Sequence, residues 1–388
     1  MKLVKHNSFT GKASKHHCDS QLSSRKSISS LAHIALLVHP SSPARSLASN
    51  TSVRQTPAFI MLDVLLSIPI LSYIFAPTSG ASLSTSVNII FFYMTWTSLV
   101  FSHPALELHV SGVLVIRVIF WLIPSLVFLL FDVGVPSLAA GVKHGGRSSL
   151  PTRDARKLGK MLGLAVLNIL ICLAFEAGTS TLYTMLFRKH IFKMNTTLPL
   201  PWTVFKHCAF ILTAREVLNF YIHGYVLHGS SWLAKKHIAY AHANAGAPFS
   251  LQVFTDYPVA MVLHRFLPAF LPSVLIRTHL LTYFLVLIIT TIEETLSMSG
   301  YTAVPGIVMS GITQRTAIHY ASKGSSNYGA YGIMDWAHGT SQGRGILEDV
   351  RNEAEKHHVP EKSAAKVDEG SSVVQDGVDS LKQRLRSK

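Results

Sequence analysis

Between residues 61 and 340 the chain carries 18 Lys or Arg and only 10 Asp or Glu across 280 positions. A soluble globular domain has about 25% charged residues; this whole chain has 14%, against 48% hydrophobic. So little charge leaves no polar shell for a solvated core, and apolar runs of about 20 residues read as membrane-spanning helices. The expected fold class is all-α, a multi-span helical membrane protein. Candidate spans are 60–76, 86–103, 111–131, 161–187 and 202–222. The apolar stretch 258–292 is too long for one span and contains Pro268, Pro272, Arg277 and His279. It is expected to form two short helices or a re-entrant hairpin, because proline interrupts the helical ladder and charges avoid lipid.

Both flanks differ from this block. Residues 1–60 form a basic, Ser-rich leader with Asp19 as its one acid, and 341–388 form a tail with nine basic and nine acidic residues. Neither holds a sustained apolar period, so both are expected to be disordered. The leader resembles an organellar transit peptide in composition. The alternative favoured here is a dispensable extension, with Met61 as the working start. Residues 61–210 are expected to be transmembrane helices, followed by a histidine-bearing region at 211–340.

The loop 138–160 holds Lys143, Arg147, Arg153, Arg156, Lys157 and Lys160 against Asp154 alone, which assigns it to the cytosol by the positive-inside tendency. Tracing the spans onward returns the chain to the cytosol just before His223. The net charge of +15 does not imply nucleic acid, since no aromatic-interleaved sheet or recognition helix accompanies the basic residues; anionic lipid headgroups are the simpler partner. Cys18, Cys172 and Cys208 make neither a disulfide framework nor a thiolate zinc site.

Histidines gather after the last of these spans. His223 and His228 lie in Phe220-Tyr-Ile-His-Gly-Tyr-Val-Leu-His228, His237 and His242 in Lys236-His-Ile-Ala-Tyr-Ala-His242, and His319 in Gln314-Arg-Thr-Ala-Ile-His319-Tyr. Neutral imidazole suits Fe, Zn or Cu, and these five are the candidate metal ligands. Their spacing is awkward, because residues i and i+5 on an α-helix are turned apart by about 140°. Convergence needs a bulge or a helix end, and Gly224 offers the first pair such a place.

The segment from about 210 to 340 resembles the fatty acid hydroxylase / sterol desaturase superfamily, particularly its fungal members. The resemblance rests on Arg215-Glu-Val-Leu-Asn-Phe-Tyr-Ile-His223 through His228, His237 to Pro248, Asp256-Tyr-Pro258, Arg277-Thr-His-Leu-Leu-Thr-Tyr, Glu293-Glu-Thr-Leu-Ser-Met-Ser-Gly-Tyr301 through Pro305, and Asn327-Tyr-Gly to Thr340. It implies a cytosolic histidine-box helical cap and a non-haem di-iron oxygenase of the endoplasmic reticulum membrane. Such an enzyme hydroxylates or desaturates a lipid, here a fatty acyl chain by preference, with O₂ and electrons from cytochrome b5 or its reductase system. Ala243, Tyr257, Met298 and Tyr320 stand where relatives often carry imidazole. Five ligands suffice for one metal, and Glu216, Glu293 and Glu294 are candidate oxygen ligands for another. His264 and His279 are nearby extras, and His338 is an interfacial residue. A catalytically degenerate member that binds lipid or a partner, and a transporter, are the alternatives.

Overall fold

The computed structural model describes residues 83–243, 248–343 and 351. The leader 1–60, the expected span 60–76 with Met61 and most of the tail 341–388 lie outside the described residues. All described residues belong to one unit, Gln55–Lys388, and every regular element among them is helical. In chain order these are α1 (Leu83–Ser102), α2 (Ala105–Gly134), the short α3 (Pro136–Gly141), α4 (Ala155–Phe187), α5 (Pro201–Tyr221), α6 (Trp232–Ala241), α7 (Pro258–Leu275), α8 (Leu280–Ser297), α9 (Ile307–Ala321) and α10 (Ile333–His338).

Four of these helices, α2, α4, α7 and α8, are long and apolar enough to cross a membrane; α1 contains a shorter apolar run, Ser86–Ser102. Their outward faces are apolar: Phe101, Leu130, Leu170 and Leu186 are all more than half exposed, which suits lipid as the surrounding solvent. The expected span at 202–222 forms as α5, yet Lys206, Arg215 and Glu216 leave it less apolar than the four. Local chemistry starts and stops the helices. Asp154 caps α4 by accepting from the Arg156 and Lys157 amides, and Ser231 caps α6 by accepting from Ala234 N at 3.1 Å, satisfying donors that a helix N-terminus leaves free.

The stretch 258–292 does divide into two helices, but the break is not at its prolines. It falls between Leu275 and Leu280, where Arg277 adopts a φ of 44° and donates to the carbonyl of His190 at 3.1 Å. Pro268 sits at the start of a helical segment that follows a π-turn, and Pro272 is accommodated within the helix. Each helix of the pair runs 18 residues, longer than the short helices the prolines suggested. The outcome is a hairpin that returns the end of α8 to the start of α7. His279 caps α8 by accepting from Leu281 N at 3.2 Å, against the ring of Trp96.

Between α6 and α7 the chain dips into the bundle. Phe249, Leu251, Val253 and Phe254 are buried, and Trp121 of α2 packs edge-on against Phe254 while donating to Ser250 O at 3.2 Å. Asn168 of α4 donates to the carbonyls of Phe254 and Asp256, both at 2.8 Å. An Asn in a membrane helix is costly unless satisfied; here it anchors the strand of chain that carries Asp256. The basic loop after α3 is pinned as well. Lys143, unlike its exposed neighbours, is buried and paired with Asp132, which also accepts from the Tyr301 hydroxyl at 2.7 Å. Burial lowers the Lys143 pKa, and the Asp132 carboxylate opposes that shift.

Candidate metal centre

At the end of α5 the backbone changes pitch. Ile222–Leu227 form a π-turn, and the His228 amide donates to the His223 carbonyl five residues earlier at 3.0 Å. An i→i+5 bond widens the turn by one residue, so His223 and His228 end on one face with their Nε2 atoms 3.2 Å apart. Gly224 lies inside this turn, where a Cβ would meet the Tyr328 ring at 3.2 Å. The second pair is reconciled by a helix end. His237 sits within α6 and His242 is the residue that leaves it, at φ −103° and ψ 22°. His319 comes from α9. A second π-turn, Val262–Phe266 in α7, brings His264 to within 4.1 Å of His223 between ring centroids.

All five expected ligands therefore converge, and His264 joins them at the edge. Ligand atoms of His223, His228, His242 and His319 lie within 4.8 Å of one another, and the His237 ring is 5.0 Å from that of His228. His279 and His338 stand apart from the group. His338 is exposed, with its Nδ1 at 2.9 Å from Met334 O.

The surroundings fix which nitrogen faces the centre. A carbonyl or carboxylate only accepts, so the partnered nitrogen is the one bearing hydrogen. His237 Nδ1 donates to Asp256 Oδ2 at 2.6 Å, His319 Nδ1 to Ser326 O at 2.6 Å and His223 Nδ1 to Tyr328 O at 3.1 Å. Each bond turns Nε2 inward with a lone pair to offer, that of His223 meeting His228 Nε2, the pattern by which outer partners orient metal-binding imidazoles. The Nε2 atoms of His237 and His319 and both ring nitrogens of His242 are buried without a partner among the described residues. Burial and the neighbouring imidazoles hold the pKa of His228 and His242 down to about 2 and that of His319 to about 4. Neutral, orphaned, inward-facing imidazoles are the donor set that a borderline metal such as iron or zinc accepts.

The acids sequence reading had offered as ligands are engaged elsewhere. Arg215 Nη1 meets Glu293 at 2.6 Å and its Nη2 meets Glu294 at 2.9 Å. Glu216 accepts from the amides of Tyr331 and Met334. Asp335 accepts from Tyr328 N, Gly329 N and the Thr340 hydroxyl, holding the segment whose Tyr328 carbonyl orients His223. Asp256 was missed as the partner of His237. Its signal was scarcity, since a buried acid in an acid-poor block must have a partner. Of the replaced positions only Tyr320 touches the centre, its ring 4.7 Å from that of His242 and bordering the same cavity. Ala243 is exposed, Met298 is fully buried in the apolar core, and Tyr257 packs beside Trp232 and Tyr240. A cavity of about 40 Å³ borders His223, His264 and His319 and reaches Arg215, Arg265 and Glu293.

Residues 208–340 match the family model described as fatty acid hydroxylase, a segment that contains every histidine of the centre. The match agrees with the fatty acid hydroxylase / sterol desaturase resemblance carried by the motifs. No solved structure matches the chain.

Proposed function

We propose that this chain is a multi-pass membrane oxygenase of the endoplasmic reticulum that binds iron at the histidine centre and hydroxylates or desaturates a lipid, by preference a fatty acyl chain. The observation that carries the reading is the convergence of four imidazole donors within 4.8 Å, at the end of a helical bundle and inside the segment matching the fatty acid hydroxylase family. Bound iron supplies what no side chain can, the reduction of O₂ to an oxidant able to take hydrogen from an unactivated CH₂ group.

The chain's own residues supply orientation and access. Asp256, Ser326 and Tyr328 hold three imidazoles in one tautomer. Substrate access is supported by cavities in series. An apolar cavity of about 90 Å³ lies between α2 and α4, bordered by the lipid-facing Leu114, Val166 and Leu170. It shares Arg117 and Ile169 with a second cavity, which in turn shares Arg265 with the histidine cavity. Opening along these shared residues would give a lipid chain a route from bilayer to centre. Lys235 and Lys236 are exposed on α6 beside His237, a positive surface suited to an acidic electron donor such as cytochrome b5.

The test is product formation. Purified full-length protein, reconstituted with lipid, O₂ and a cytochrome b5 reducing system, is expected to yield an oxygenated or desaturated lipid, and His237→Ala is expected to abolish it. The exposure of Ala243 and the burial of Met298 favour a second reading, a lipid-binding relative without turnover. Lipid retained by a protein that consumes no O₂ would establish that reading instead.

A further inference from the structure

The ring positions say more than that the histidines cluster. The His228 centroid lies 4.9 Å from that of His223 and 5.0 Å from each of His237, His242 and His319. Those four follow one another in a closed loop: 5.3 Å from His223 to His237, 5.3 Å on to His242, 5.0 Å to His319 and 4.6 Å back to His223. Four rings in a loop, each equally far from a fifth, describe a square pyramid with His228 at its apex.

Such a pyramid has one centre. With metal–nitrogen bonds of about 2.1 Å, neighbouring donors on one ion stand about 3 Å apart and opposite donors about 4.2 Å. His223 and His228 present Nε2 atoms 3.2 Å apart, and the donors of His223, His228, His242 and His319 all fall within 4.8 Å. Two ions set about 3.5–4 Å apart would spread their outer donors to about 8 Å.

Among the described residues no second group of three or more His, Cys, Asp or Glu donors converges; Tyr320, whose ring lies 4.7 Å from that of His242, is a further oxygen donor beside the first group. Ala243 has no donor, and the Met298 thioether is enclosed in the apolar core. Asp256 is bound to His237, Glu216 to backbone amides, and Glu293 and Glu294 to Arg215. His264 is the one further imidazole in contact with the group. It lies against His223 at 4.1 Å, stands 6.3 Å from His237 and lines the cavity instead of closing the loop.

We infer that this centre would hold a single metal ion, bound by His223, His228, His242 and His319, with His237, held by Asp256, standing beside them as a fifth donor. The identification of that ion as iron rests on the oxygenase reading; the count of one does not. One iron would supply one reducing electron where two would supply two, so an external donor would have to provide the rest.

Metal content and spin state decide the matter without reference to activity. Full-length protein is purified in detergent after iron-replete expression, its metals are counted by mass spectrometry, and its ferric form is examined by electron paramagnetic resonance and Mössbauer spectroscopy. One iron per chain with the signal of an uncoupled ferric ion is expected, unchanged in His264→Ala and lost in His228→Ala. Two irons per chain with a coupled spin pair would overturn the single-ion count and leave the oxygenase reading standing. One zinc per chain and no iron would support the count and overturn the oxygenase reading. Protein free of metal would overturn both.

Discussion

Asp256 Oδ2 accepts from His237 Nδ1 across 2.6 Å, linking the segment that dips beneath α2 and α4 to the imidazole carried within α6. The bond fixes the tautomer of His237 and leaves its Nε2 as the only nitrogen available to a metal. Loss of such an outer partner typically costs 10–100-fold in metal affinity. Asp256→Ala is therefore expected to weaken metal binding by about that factor, measured by chelator competition, with helical content by circular dichroism preserved. Asp256→Asn, whose amide oxygen still accepts, is expected to fall between the two. Wild-type affinity in Asp256→Ala would remove this carboxylate from the centre's design.

Gly324 packs directly on the imidazole of His228, and its φ of 83° is one that side chains rarely adopt. A Cβ at this position overlaps the ring, and the strained backbone adds about 1–3 kcal/mol for a non-glycine residue. Gly324→Ala is expected to displace the apex of the pyramid, lowering bound metal several-fold and thermal stability in detergent together. By contrast Gly339→Ala, also at positive φ but with open space around a Cβ, is expected to lower stability and leave metal content intact. Equal metal loss in both variants would mean that general destabilisation, not displacement of His228, is responsible.

How much of this was legible in the sequence follows the physics of each element. Span positions could be read because apolar length is a local property, and α2 and α4 fall on the expected runs. The five ligands could be read from residue type and order. Their convergence could not, since i,i+5 spacing argues against it on a regular α-helix. The π-turn at Ile222–Leu227 supplies the missing rotation, and such a turn is stabilised by tertiary contacts, here the Tyr328 segment held by Asp335 and Glu216. His264 was legible only as a nearby histidine for the same reason, its own π-turn being invisible in the apolar pattern of α7. The prolines of α7 misled because a helix packed closely against α5 can tolerate a lost backbone bond, whereas the actual break is made by Arg277 and its bond to the 190–195 connection.

Ile169 lies on α4 where the apolar cavity meets the one containing Arg117 and Glu176. Its side chain is 8% exposed and far in sequence from any ligand. Ile169→Trp is expected to obstruct passage from the bilayer, raising the apparent KM for a long-chain substrate at least several-fold, while iron content and its spectrum stay those of the wild type. Ile169→Val is the control, costing about 1 kcal/mol of stability at most. Unchanged turnover in Ile169→Trp would place the substrate route elsewhere.

Acid stability offers a test that needs no substrate. His319 is held neutral by burial, with its pKa lowered to about 4, and His228 and His242 are lowered further to about 2. In the unfolded chain each returns to about 6.5. Above that value neither state is protonated at these positions, and they make stability independent of pH. Below it the unfolded chain takes up protons that the folded, metal-free protein refuses, so the folded state loses ground as pH falls. For His319 the loss accumulates between about 6.5 and 4 and amounts to about 3 kcal/mol; the other two continue it downward. Metal bound to the same nitrogens competes with those protons, so holoprotein is expected to remain folded to lower pH and then to release metal and unfold together. Thermal unfolding of metal-stripped protein in detergent, followed from pH 8 to pH 4, is expected to show a plateau that turns down near pH 6.5, and the downturn should be shallower in His319→Asn. A metal-stripped protein equally stable across that range would show that these imidazoles take up protons in the folded protein as readily as in the unfolded chain, and so are not held neutral by burial.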